Sequence, residues 1–157
     1  MNVFSAIIIA VLMPTGHIAL AADVQLKQYS NGGIYEGEFL NGKQHGQGKY
    51  ISSDGYEYSG QWVNGIIEGL GTAKYGDGSI YTGSFIGGKP TGIGKLIFLD
   101  GGSYEGEWKD GNFHGKGTIL YSNGDTYTGN FKSGKRSGFG ELKTKNNHQY
   151  YGEWNND

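Results

Sequence analysis

Tyrosine returns every 23 residues. Tyr35, Tyr58, Tyr81, Tyr104, Tyr127 and Tyr150 keep this spacing without a slip. Glycine follows two residues after each, at Gly37, Gly60, Gly83, Gly106, Gly129 and Gly152. A ring follows two further on, at Phe39, Trp62, Phe85, Trp108, Phe131 and Trp154. A third position is marked by Gly42, Gly65, Gly88, Gly111 and Gly134, and a Gly-x-Gly pair comes next, first at Gly46 and Gly48. A last glycine stands three residues before each following tyrosine, from Gly32 to Gly124. A period of this length means one supersecondary unit repeated, each copy too small to bury its apolar side chains alone. These positions hold 26 of the 31 glycines, so the enrichment is positional and neither low complexity nor collagen.

The spacing inside a unit predicts a β-hairpin. In Tyr104-Glu105-Gly106-Glu107-Trp108 the two-residue strand period puts tyrosine, glycine and tryptophan on one face and the glutamates on the other. Lys109-Asp110-Gly111-Asn112 carries a turn, with Gly111 free to take positive φ, and Gly115–Tyr121 is the expected second strand. Ser122-Asn123-Gly124-Asp125 then turns the chain into the next unit. The predicted fold is all-β: an elongated, single-layer antiparallel stack of hairpins, each strand about 4.8 Å beyond the last and five units spanning about 50 Å. Glycine inside such strands permits close approach, and Gly37 is expected to leave room for rings of neighbouring units to tile over it. The aromatic residues are therefore expected to be packing residues. Residues 25–34 look like the second half of a unit, and 150–157 begin a sixth, with Asp157 where its turn glycine would stand and Asn147 in place of the register glycine. An open edge strand there has unsatisfied backbone groups and is expected either to cap the stack or to pair with another chain.

The first segment differs in kind. Residues 3–13 are almost wholly apolar, too short for a comfortable membrane span, and Pro14 and Gly16 interrupt them. Ala19-Leu20-Ala21 matches a small-x-small cleavage pattern. The expected organisation is a signal peptide over residues 1–21, cut after Ala21, and a repeat domain over 22–157 whose units start near 35, 58, 81, 104 and 127, with a partial unit at 150. An uncleaved membrane anchor and a buried N-terminal segment are the alternatives.

The units resemble MORN repeats, the membrane occupation and recognition nexus motif. The first matches through Tyr35, Gly37, Phe39, Gly42, Lys43, His45, Gly46 and Gly48; the fourth through Tyr104, Gly106, Trp108, Gly111, His114, Gly115 and Gly117, with Asn112 replacing the usual lysine. The resemblance runs from about residue 25 to the last residue. It implies an elongated stack of β-hairpins acting as a scaffold, a dimerising module or an appendage to enzymes, with phospholipid binding proposed for some members. It implies no kinase activity here, since the Gly-x-x-x-x-Gly-Lys-Ser/Thr phosphate loop is missing.

Little in the chain points to catalysis. Cysteine is absent, which removes thiolate metal sites and a cysteine nucleophile. His45 and His114 share a repeat position three units apart, about 30 Å in a regular stack, too far for one metal; each is expected to hydrogen-bond locally near its hairpin turn. Glu36 and Glu38, like Glu105 and Glu107, lie about 7 Å apart on one strand face, a spacing a glycosidase could use, but a solvated face is the simpler expectation. A net charge of −2 gives no basis for nucleic-acid binding. Lys132, Lys135, Arg136, Lys143 and Lys145 crowd into fourteen residues and are the candidate ligand-binding set, suited to acidic lipid or another polyanion.

The expected function is a noncatalytic protein-interaction or scaffold module of the bacterial envelope, periplasmic or secreted, with a protein partner or self-association and no cofactor or metal. A peripheral binder of acidic lipid or polyanion is one alternative, and a carbohydrate-active hydrolase another.

Overall fold

The computed structural model describes residues 23–157. The predicted signal peptide, its cleavage point and His17 lie outside the described residues. Strand β1 (Val24–Gln28) is followed by five hairpins: β2–β3 (Ile34–Leu40, Lys43–Ile51), β4–β5 (Glu57–Val63, Ile66–Lys74), β6–β7 (Ile80–Ile86, Lys89–Ile97), β8–β9 (Ser103–Lys109, Asn112–Leu120) and β10–β11 (Thr126–Lys132, Lys135–Lys143). Strand β12 (Gln149–Asn155) completes one twelve-stranded antiparallel sheet in which spatial order equals chain order. The sheet is a single layer and does not close into a barrel. A strand of seven residues, a turn of two, a strand of nine and a connection of five make up the period.

The second strand starts earlier than its glycines suggest, at Asn112 instead of Gly115. The turn is tighter than the four residues Lys109–Asn112: Asp110 and Gly111 alone form it, with φ of 50° and 81°. Both central residues are positive in every hairpin, as in the Asn41–Gly42 and Asn64–Gly65 pairs. That is the type I′ geometry whose twist suits two-residue hairpins. Asn147 takes φ 62° in the position held elsewhere by glycine.

Two extra residues on each second strand explain the Gly-x-Gly. Gly37 pairs with Gly48 but Phe39 pairs with Gln44, so the longer strand bulges at Gly46 (φ 61°). A bulge frees backbone groups that must find new partners. The tyrosine supplies one. Its hydroxyl donates to the carbonyl of the residue three positions later, from Tyr35 to Glu38 (2.9 Å) through Tyr104 to Glu107 (2.7 Å) to Tyr150 and Glu153 (3.3 Å). The side chain of that later residue supplies the other: Glu38, Gln61 and Glu107 accept the N–H of Gln47, Leu70 and Lys116 at 2.8–2.9 Å. Glu38 and Glu107 do stand on the outward face, but they are folded onto the bulge rather than simply solvated.

The ring over Gly37 comes from its own unit, not from a neighbour. Tyr35 lies across Gly37 and Gly48, where any Cβ would collide with it. Neighbouring rings grip the tyrosine instead: Tyr35 meets Phe39 at 5.1 Å and Trp62 of the next unit at 5.2 Å, both edge to face. The pattern repeats along the sheet as a ladder of T-shaped contacts, the favoured aromatic geometry. Tyr35, Tyr58, Tyr81, Tyr104 and Tyr127 are fully buried in it. Water exclusion raises their hydroxyl pKa values, to about 12 for Tyr35, Tyr58, Tyr81 and Tyr104. The core of this sheet is thus one face of it, and the other face meets solvent.

Candidate functional site

The side chains opposite the ring ladder form the candidate surface. Along the hairpin-turn end of this outer face, composition changes between units. In the second and third units Val63, Ile66 and Ile86 flank the turns, and in the fourth and fifth Lys109, Lys132 and Lys135 do. Leu70 and Ile93 add to the aliphatic part. They occupy the outward residue of the bulge in successive units, about 9.6 Å apart at two strand spacings, and are 64% and 67% exposed. Val63, Ile66 and Ile86 are also exposed, which makes β4–β7 rich in exposed aliphatic side chains on this face, with Lys89 opposite Ile86 at its margin. The signal for it was present in the sequence, since three of the four outward positions flanking these turns are aliphatic, the fourth being Lys89 opposite Ile86.

The five cations proposed as a ligand site are not brought together. Lys132 and Lys135 face each other across the β10–β11 turn on the outer face. Lys143 lies at the far end of β11, about 20 Å away by the six strand steps of its partner β10, with Glu141 at 3.7 Å. Lys145 follows in the connection, where its backbone N–H donates to Asp125 at 2.9 Å. Arg136 lies on the ring face opposite Phe131, with its guanidinium 4.0 Å from the Trp154 ring centre and its Nε donating to Asp157 at 3.0 Å. Burial works against ionisation of Asp157, but its bonds to Arg136 hold the carboxyl below its ordinary pKa. Fourteen residues are close in sequence, yet a nine-residue strand separates them in space. The outer face instead groups Lys132 and Lys135 with Lys109 and Lys116 of the preceding hairpin. Among the described residues, none of these four forms an ion pair.

The histidines are separate. His45 accepts the backbone N–H of Asn64 through Nδ1 at 3.4 Å, which ties it to the next unit's turn and not to its own. His114 contributes its backbone carbonyl to the Tyr104 hydroxyl at 3.3 Å. Glu105 pairs with Lys95 at 3.3 Å, whereas Glu107 closes the bulge, so the two carboxylates of that strand have different partners. Among the described residues no group of three or more histidines or carboxylates could hold a metal ion. No helix there is long and apolar enough to cross a membrane.

The family model of the MORN repeat matches residues 35–55, 58–80, 81–103, 104–126 and 127–149. Among solved structures, the TCP domain of Drosophila melanogaster SAS-4, in complex with a proline-rich motif of Ana2, is similar at 12% identity and a TM-score of 0.46, with 94% of this chain and 99% of that one covered. The TCP10 domain of Danio rerio CPAP, in complex with a STIL peptide, is similar at 13% identity and a TM-score of 0.40, with 84% and 80% covered.

Proposed function

The chain belongs to the MORN repeat family, a noncatalytic scaffold family, and on that premise we propose that it binds a protein partner through the outer face of its sheet. The observation that carries this is the aliphatic patch of Val63, Ile66, Leu70, Ile86 and Ile93, set on a single-layer sheet whose opposite face is spent on the ring ladder. Contiguous exposed apolar surface on a soluble face marks interaction sites, and its burial would supply the association energy. The lysines beside it, Lys109, Lys116, Lys132 and Lys135, supply steering toward a partner with acidic groups.

The test is site-specific photo-crosslinking in native-type cells. A crosslinker at Ile93 should give one discrete protein adduct that disappears in the Leu70→Glu variant, while the same crosslinker at Lys145 gives none. Equal adducts from both positions, or persistence of the adduct in Leu70→Glu, would refute the patch. A second reading, binding of acidic lipid or polyanion, is favoured by the like-charged Lys132–Lys135 pair alone. Vesicle binding that falls with salt and is lost in a Lys132→Gln/Lys135→Gln variant would support it over the protein reading.

We also infer export to the bacterial envelope, from the apolar run at residues 3–13 and the Ala19-Leu20-Ala21 pattern. Intact mass of the untagged protein checks this. A chain beginning at Ala22 and recovered outside the cytosol is expected, whereas a cytosolic chain beginning at Met1 would overturn it.

A further inference from the structure

Beyond the edge pairing of β1 with β2, five boundaries join successive units, and they are not alike. At β3–β4, β7–β8 and β11–β12 the later unit contributes a tryptophan. Its Nε1–H donates back to the carbonyl of Gly48 (3.2 Å), Gly94 (3.1 Å) or Gly140 (3.3 Å). At β5–β6 and β9–β10 the ring is Phe85 or Phe131, which has no such donor. Those two boundaries carry an exposed threonine pair on the outer face instead, Thr72–Thr82 at 3.2 Å and Thr118–Thr128 at 3.1 Å.

The β5–β6 boundary differs in two further respects. On the ring face, the residue opposite each later tyrosine is Tyr50, Leu96, Ile119 or Leu142 at the other four boundaries, but Ala73 here. The small side chain gives Tyr81 less surface to pack on across the join. The connection spanning it, residues 75–79, has Gly76 where the equivalents are Ser53, Leu99, Ser122 and Lys145. Glycine at that position is freer than any of those residues, although the β7–β8 connection also holds two glycines, Gly101 and Gly102, and Asp77 accepts from the Ser79 N–H and hydroxyl within 75–79. At the turn end, Gly88 donates to the Ile67 carbonyl at 2.9 Å, as the equivalent residues do at the other boundaries. One added tie, from Gly87 N–H to the Glu68 carboxylate at 2.9 Å, is exposed and competes with water.

We propose that the β5–β6 boundary is a built-in seam at which the array opens as two halves, residues up to Lys74 and residues from Ile80, hinged on 75–79. Opening there breaks no indole–carbonyl hydrogen bond, unlike opening at a tryptophan boundary: Tyr58 loses Phe85 but keeps Trp62, and Tyr81 keeps Phe85. It also frees two strand edges in the middle of the sheet, each able to pair with another strand. Leu70 and Ile86 lie on opposite sides of the seam, so a ligand seated on both binds the closed array alone. That consequence rests on the partner reading above, whereas the seam does not.

Native-state hydrogen exchange on the full chain, without any partner, tests the seam. In a linear array that frays from its ends, interior units are protected most. The seam reverses this order: amides of β5 and β6 exchange about ten-fold faster than those of β7 and β8. An Ala73→Leu/Phe85→Trp variant, which copies the β7–β8 boundary, should bring the two regions to equal protection. Phe85→Trp alone serves if the double variant does not fold, and should narrow the difference. Equal protection across the boundaries of the wild-type protein, or earlier opening at β9–β10, would overturn the proposal.

Discussion

Replacing Gly117 by alanine separates two reasons for which this chain uses glycine. A Cβ on Gly117 would stand 2.5 Å from Tyr104 Oη, 2.6 Å from Cε2 and 2.7 Å from Cζ. Non-bonded carbons settle at about 3.5–4.0 Å, so the ring must retreat by roughly 1 Å. It cannot do so within the ladder. Trp108 at 5.3 Å and Phe131 at 5.1 Å close on it edgewise, and Phe113 stacks on it at 3.8 Å. Either β8 and β9 part or the ring swings out to solvent. The second outcome forfeits the burial of one aromatic side chain, roughly 1.5–3 kcal/mol, and the Tyr104–Glu107 hydrogen bond, about 1 kcal/mol. Gly117→Ala should therefore cost roughly 2.5–4 kcal/mol. Gly111→Ala is the control. Its φ of 81° is strained for alanine but its nearest neighbour is Pro90 Cδ at 4.0 Å, so the cost should be about 1–2 kcal/mol. Urea unfolding followed by circular dichroism gives both. In a Tyr104→Leu background the clash is gone, and Gly117→Ala should cost less than about 1 kcal/mol. If Gly117→Ala costs no more than Gly111→Ala, or if the Tyr104→Leu background gives no relief, the ring is not what excludes a side chain there.

Further expectations follow from the same contacts. Burial lifts four tyrosine hydroxyls to about 12, so below pH 10 both states are protonated and stability is unaffected. Between pH 10 and 12 the unfolded chain ionises first, and each such tyrosine should remove up to roughly 3 kcal/mol. Phenolate absorbance and circular dichroism should change together in that window; ionisation of these rings near pH 10 in a still-folded protein would contradict their burial. Trp108→Phe removes the bond to Gly94 and should cost about 1–2 kcal/mol, against about 3–5 for Trp108→Ala; equal costs in thermal or urea melts would mean the indole N–H contributes nothing. Glu107→Ala leaves the Lys116 N–H without its acceptor and should cost about 1 kcal/mol. Glu107→Gln should be close to neutral, because Gln61 does this work in the second unit. A costly Glu107→Gln in the same melts would show that charge, not acceptance, matters there.

The 23-residue period by itself determined the architecture. A two-residue alternation of tyrosine, glycine and a larger ring can bury those rings on one face alone, and a unit that small must stack. The turn glycines and the asparagine at 147 were legible for the same local reason: positive φ is a property of one residue and its neighbours. What the linear pattern did not decide was which groups meet. The tyrosine covers its own unit's glycines because the bulge, two residues longer on one strand, leaves a carbonyl that its hydroxyl can reach. Glu38 and Glu107 fold onto that bulge for the matching N–H, although strand alternation alone makes them look like ordinary solvated charges. Lys135 and Lys143 share a strand and so stand apart, while Lys109 and Lys132 belong to adjacent hairpins and share one margin. Arg136 is drawn to the ring face by parity, since the two added residues preserve the alternation. Cross-strand register is set by hydrogen bonds between segments, and it is this register, absent from any single stretch of sequence, that sorts equivalent positions into core, bulge support and exposed surface.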